Sequence, residues 1–261
     1  MELSTIIGLL LGTLGLGTGM ALKGVGPSAL LNPAAIIIIL VGTLACVFNA
    51  FPMENIKGAG ALFRKLFKKQ VLISKVELLK LFVELSQTAR REGILALESR
   101  VEDIPDQFLR TGLNMVIDGL DPDFVGDVLE AEVHGMEDRH RDGAAIFSQA
   151  GMYAPTLGVL GAVVGLIAAL GNLADIDKLG VAIAAAFVAT LMGIFTGYVL
   201  WHPFANKLKM LSKKEAEVRK MMVEGVLSLQ AGDSPTAIEA KLMVFIAQKE
   251  RDLLKQAKAG E

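Results

Sequence analysis

Few residues in this sequence are arranged to do chemistry. His134 and His140 are six apart, so on a helix they fall on different faces and make a poor metal pair. The run Met136–Arg141 (MEDRHR) around them has the mixed charge of a solvated, salt-bridged surface. There is no Gly-rich phosphate loop, zinc-ligand spacing or nucleophile elbow, and the single Cys46 leaves no disulfide framework or cysteine metal site. These absences argue against an enzyme. Arg90, Arg91, Glu92, Glu98, Arg100 and Glu102 form an alternating charge cluster. Arg90 and Glu98 would share one side of a continuous helix, unless Gly93 breaks it and presents both at a corner. Such a cluster is ordinarily a solvated surface, and it can also steer a charged partner.

The remaining candidates lie in Gly151–Phe204. Two apolar runs, Met152–Leu170 and Leu179–Trp201, flank a turn with Asp175, Asp177 and Lys178, and neither run contains Asp, Glu, Lys, Arg or His. Each has about the 20 residues that cross a hydrocarbon core of about 30 Å. Both are rich in Gly and Ala, which lets helix backbones approach closely inside a membrane. Pro155 stands near the start of the first run and Pro203 just past the end of the second, so a hairpin puts them at similar depth. Each, if helical, frees a carbonyl four residues earlier (Gly151 and Val199). The pair reads either as a hinge or as two helix ends. Thr156, Thr190, Thr196 and Tyr198 are the main hydroxyls; bonding to the i−4 carbonyl accounts for most such threonines, and lining a hydrated path is the sharper alternative. Ion transport through a bundle ordinarily needs an intramembrane titratable group. Without one, the chain either moves no ions or borrows the carboxylate from a partner.

The elements positioning these residues are helical throughout. Leu3–Leu22 and Ala34–Phe51 are two further spans, the first read as a retained anchor because it lacks a basic leader and a cleavage site. At 52% hydrophobic residues, mean hydropathy +0.50 and net charge −2, spans must alternate with polar segments, and no nucleic-acid partner or cofactor is implied. The organisation is therefore 1–52, two spans; 53–150, a helical polar domain; 151–204, the hairpin; and 205–261, C-terminal helices. The two long segments hold 13 and 11 Lys or Arg, against Lys23 and Lys178 in the short loops, which places the long segments and both termini in the cytoplasm. Ile56–Lys69 reads as an amphipathic helix on the inner leaflet, its cations toward anionic headgroups. Val76–Ala89 has helical apolar spacing, Asp103-Ile-Pro105 and Asp121-Pro122-Asp123 read as helix starts, and the pattern from Pro122 stays helical into the third span.

Three stretches carry a resemblance: Ala154–Leu166 (APTLGVLGAVVGL), Ala189–Leu208 (ATLMGIFTGYVLWHPFANKL) and Ala89–Glu98 (ARREGILALE). They resemble the MotA family of flagellar motor stator subunits, within the MotA/TolQ/ExbB proton channel superfamily, and the likeness extends over the whole chain. The resemblance implies an all-α membrane fold of four spans in a pentameric ring around a single-span, peptidoglycan-binding MotB-type subunit, which supplies the missing Asp. It implies a stator in the cell inner membrane that couples inward proton flow to torque on the rotor protein FliG. Pro155 and Pro203 match the family's coupling prolines, Arg90 and Glu98 its rotor-facing charges, Arg91 a second basic position and Thr190 a threonine beside the ion path. Sodium-driven relatives carry threonines where this chain has Ala162 and Ala189, so H⁺ is the implied coupling ion. A TolQ- or ExbB-like energiser is the nearest alternative, although those relatives normally have three spans. A passive scaffold is the alternative outside the superfamily.

Overall fold

The computed structural model describes residues 3–171 and 173–259, and among them no strand occurs. Residues 1, 2, 260 and 261, at the outer ends of the first and last sequence segments, lie outside the described residues. The helices are α1 (Leu3–Leu22), α2 (Pro33–Ala50), α3 (Met53–Lys65), α4 (Lys75–Glu92), α5 (Glu98–Glu102), α6 (Gln107–Ile117), α7 (Pro122–Leu170), α8 (Ile176–Gln230), α9 (Pro235–Met243) and α10 (Gln248–Ala259). α1, α2, α7 and α8 each contain a stretch long and apolar enough to cross a membrane. Two compact units form: residues up to Gln70 with Arg139–Leu211, and Val71–Asp138 with Ser212 onward.

Local chemistry sets the boundaries. Asn32 begins α2 by accepting from the Ala35 N–H at 3.2 Å, with Pro33 at the first helical position. The isoleucine run then continues as a π turn at Ile37–Val41 rather than as a strand. Asp121 begins α7 by accepting from the N–H groups of Asp123 and Phe124, at 3.0 and 3.4 Å. Asp103 starts no helix. Its backbone is still helical and ends α5, while Asp106 caps α6 by accepting from the Leu109 N–H at 2.9 Å. The correction has a simple cause: Pro105 biases Ile104 away from helical geometry, and the cap passes to the carboxylate beyond the proline. Gly93 ends α4 at φ +87°, a conformation that favours glycine, so the helix does break between Arg90 and Glu98.

The second unit packs a conventional core. Leu78, Phe82 and Leu85 of α4 and Leu109 and Leu113 of α6 meet Leu129 of α7, Met221, Met222 and Val226 of α8 and Ile238 of α9, all essentially inaccessible to solvent. Phe82 lies so close to Gly225 that no Cβ would fit there: one built at Gly225 falls 2.5 Å from the ring's Cζ. Ion pairs tie the periphery. Lys75 donates to Glu217 at 2.9 Å, and Lys241 meets Asp233 at 2.9 Å and Glu224 at 3.4 Å. The Lys75 hydrogen bond holds the Glu217 carboxyl below its usual range, and the Lys241 hydrogen bond does the same for Asp233. Asp233 in turn raises the Lys241 ammonium.

These shifts fix a sign. The carboxylate contributions are fully present above the ordinary carboxylate range and are lost as pH falls through the lowered folded values. The Lys241 contribution disappears only above the ordinary lysine range. All these groups are substantially solvated, so each pair contributes at most about 1 kcal/mol. Thermal melts from pH 7 to pH 3 should show a declining acid limb, and Asp233→Asn should flatten it while lowering the neutral-pH melting temperature slightly.

Candidate functional site

The hairpin of α7 and α8 is held by backbone meeting backbone. A Cβ built on Gly193 would lie 2.7 Å from both the Ala154 carbonyl oxygen and the Gly158 Cα. One on Gly158 would lie 2.9 Å from the Ala189 carbonyl oxygen and the Gly193 Cα. The contact continues through Gly161 against Ala189 and Gly165 against Ala186, each 3.2 Å from a built Cβ to the alanine's Cβ. Small residues near four-residue spacing on both helices permit this approach, which gains dispersion contacts where lipid offers no hydrophobic drive.

Pro155 sits within α7 without ending it. Directly opposite is Gly197: a Cβ there would fall 2.7 Å from Pro155 Cγ and 2.9 Å from the Gly151 carbonyl oxygen, the carbonyl that Pro155 cannot satisfy. Gly197 belongs to a π turn in α8, Thr196–Trp201, whose exit is marked by the His202 N–H donating to the Gly197 carbonyl. Pro203 follows at once and lacks the N–H that would continue the ladder. The two prolines therefore act on one place. Pro155 packs against the π turn from the facing helix, and Pro203 weakens it from within its own chain. A π turn between two such residues is a soft point in an otherwise regular hairpin.

Other groups surround this turn. The His202 ring covers Gly151, with Nδ1 2.8 Å from a built Cβ, and packs tilted against Tyr198 at 5.3 Å between ring centroids. Phe147 packs on Trp201 at 6.2 Å. On the α1 side, Gly12 abuts Val199, and Ser4, Thr5, Gly8 and Leu9 line a cleft of about 140 Å³ with Pro203 and Lys207. Lys207 Nζ donates to Thr5 Oγ1 at 2.6 Å, and Thr5 donates to the Leu66 carbonyl at 3.0 Å.

The threonines take the local role. Thr156, Thr190 and Thr196 donate to the carbonyls of Met152, Ala186 and Met192, at 3.2, 3.4 and 2.9 Å. Ala189 is buried in the helix contact and Ala162 is half-buried. No group of three or more His, Cys, Asp or Glu that could hold a metal exists among the described residues.

Arg90, Arg91 and Glu98 belong to the second unit. The arginines close α4, Glu98 opens α5, and the turn between them is the 3-10 segment Ile94–Leu97, pinned by buried Leu97. All three charged side chains are exposed, and none has an ion-pair partner among the described residues. Leu95 stands in their midst at 71% exposure, an apolar tip in a charged corner. A cleft of about 350 Å³ lies between α5 and α6, lined by Val101, Glu102, Gln107, Arg110, Thr111 and Asn114.

Sequence reasoning named the prolines and the small residues of both runs, Gly197 among them, but missed the Gly197–Pro155 contact, His202 and the π turn. The small-residue pair Gly193 and Gly197 was the available signal, since its four-residue spacing aims both at a facing helix. Nothing in the sequence announced the π register.

Four helices long and apolar enough to cross a membrane, two of them joined in a close-packed hairpin with a proline-bounded soft turn, define the class: a helical membrane protein. A family model described as the MotA/TolQ/ExbB proton channel family matches residues 100–221. Motility protein A of Bacillus subtilis (strain 168) is 56% identical over 261 residues, spanning 100% of this chain and 96% of the relative. The solved flagellar MotAB stator complex from B. subtilis contains a chain similar at TM-score 0.91 and 56% identity, covering 95% of this chain and 98% of that one. The C. jejuni MotAB structure matches at TM-score 0.90 and 29% identity, covering 95% and 97%. The chain belongs to the MotA/TolQ/ExbB proton channel family.

Proposed function

We propose that this chain is the multi-pass subunit of a flagellar motor stator, working as a ring of copies around a single-span, peptidoglycan-anchored partner of the MotB type. The observation that carries the reading is the π turn of α8, held between Pro155 and Pro203 in a hairpin whose two apolar runs hold no carboxylate. Such runs can respond to a charge but hold none of their own within the membrane. The partner's Asp supplies the titratable group, and its protonation removes a charge from a low-dielectric site, so the preferred packing around it changes. One elementary charge crossing about 100 mV releases about 2.3 kcal/mol, enough to bias two packings a few kcal/mol apart. The whole-length similarity to the B. subtilis protein and the likeness to chains of the solved MotAB structures support the assignment.

Within this reading, the Pro155–Gly197 contact is where a change at the partner's Asp becomes a change in helix geometry. Arg90, Arg91 and Glu98 at the Gly93 corner form the face that pushes on the rotor protein FliG. The protein sits in the inner membrane with both termini in the cytoplasm, as the Lys and Arg distribution supports, and it catalyses no covalent reaction. H⁺ is the coupling ion. Dehydrated Na⁺ needs several oxygen ligands, whereas the hydroxyls of Thr156, Thr190 and Thr196 are engaged on their own helices and Ala162 and Ala189 offer none.

Swimming of cells carrying Arg90→Glu or Pro155→Ala, with membrane levels checked by immunoblot, tests the role. Each variant should insert at parental levels and reduce swimming at least tenfold, and Glu98→Lys should partly restore the Arg90→Glu strain. Full swimming by both single variants would leave only a passive scaffold. Swimming that requires Na⁺ and ignores the proton gradient would reject the coupling ion.

A further inference from the structure

α3 is amphipathic, and much of its apolar side packs on protein. Leu62 presses on Gly143 of α7, and Phe63 and Phe67 pack edge-on against Phe204, at 5.8 and 6.3 Å between centroids. Leu66 is fully buried, and its carbonyl takes the Thr5 hydroxyl that in turn accepts from Lys207. Phe204 and Lys207 are the first and fourth residues after Pro203. The end of α3 is thus clamped by two independent contacts to the turn of α8 that follows the soft point.

The opposite side of α3 is cationic. Lys57, Arg64 and Lys65, with Lys68 and Lys69 just beyond, are all exposed, and none has an ion-pair partner among the described residues. Only Phe51 and Pro52 separate α3 from the end of the apolar helix α2, so this face emerges at the depth where a bilayer's headgroups begin. Exposed Met53 and partly exposed Phe63 add apolar contact points. Five unneutralised cations beside a membrane span match an anionic lipid surface, where each is worth about 1 kcal/mol.

We propose that the outer face of α3 is a binding site for anionic phospholipid headgroups, and that the bound lipid braces the turn of α8 following Pro203 through the Phe63–Phe67–Phe204 cluster. The site exists whether or not the protein generates torque. Its ligand is recognised by charge at a fixed depth, with the acyl chains continuing along α2.

The test uses the full-length chain in neutral detergent, titrated with phosphatidylglycerol, phosphatidylcholine or inorganic phosphate. Retained lipid is counted by native mass spectrometry, and amide exchange is followed over residues 196–208. Phosphatidylglycerol should be retained and should slow exchange in that segment, while phosphatidylcholine and phosphate do neither. Replacing the five cations by glutamine should weaken retention by about fivefold per charge removed. Lys65→Arg with Lys68→Arg and Lys69→Arg should preserve it. Phe63→Leu keeps every cation, so it should retain lipid yet lose the slowed exchange. Equal retention of phosphatidylcholine, unchanged retention by the glutamine variant, or the full effect from phosphate alone would overturn the lipid site. Dissociation of copies of the chain in the glutamine variant, with lipid retention intact, would assign the face to an acidic protein surface instead. Slowed exchange surviving in Phe63→Leu would overturn the brace.

Discussion

Gly193→Ala should unfold in detergent several degrees below the parent chain, while Gly180→Ala melts with it. The two substitutions add the same methyl group to the same helix. At Gly180 nothing lies within 4 Å of the new atom; at Gly193 it lands 2.7 Å from the Ala154 carbonyl oxygen and the Gly158 Cα. A long side chain could swing aside, but these are backbone atoms of a helix and cannot. The helices must separate, and the contacts at Gly161–Ala189 and Gly165–Ala186 loosen with them. Overpacking of a tight contact costs about 1–3 kcal/mol, and the lack of any flexible neighbour puts this site at the upper end. The Pro155–Gly197 contact lies one helical turn further along, so Gly193→Ala should also stop swimming even where some protein survives. Equal melting of the two variants would mean that the helices do not approach as closely as described. Gly197→Ala, which meets Pro155 Cγ at 2.7 Å, probes the same contact at the soft turn itself.

Much of this architecture was legible in the residues. The apolar runs have lengths that only helices satisfy, and Asp121 before Pro122 marks the start of a helix that runs 49 residues. The alternatives left open around Gly93 were decided by backbone geometry, since only the positive φ shows that the chain turns there. Asp103 and Asp106 illustrate a limit of local reading. Both are acidic and both flank Pro105, and the choice of cap depends on which carboxylate reaches a free N–H. The interfacial helix illustrates another. Its amphipathicity was plain, but a helical wheel cannot say whether the apolar face meets lipid or protein, and here it meets Gly143 and Phe204. The π turn was invisible because hydropathy has no term for hydrogen-bond register. Its position becomes intelligible only when Pro155, Gly197 and Pro203 are seen around it.

The other large effect concerns ion conduction. The two apolar runs hold no Asp, Glu, Lys, Arg or His, and the hydroxyls of Thr156, Thr190 and Thr196 are spent on their own helices. An isolated carboxylate placed there would be costly, which is a reason to hold it on a partner that the hairpin can surround. On the proposed function, the chain is the moving wall and the acid belongs to another molecule. On that same reading, Pro155, Gly197 and Pro203 respond to that acid's charge and cannot replace it. The effect should be all-or-none: with the partner absent, or with its Asp changed to Asn, no route for protons remains.

Proton flux into vesicles carrying a pH-sensitive dye, driven by a potassium–valinomycin potential, measures this directly. The purified chain alone should leave the vesicles as tight as empty ones, and the complex with the single-span partner should acidify them in an Asp-dependent manner. Sustained acidification by the chain alone would contradict the claim on which the rest stands.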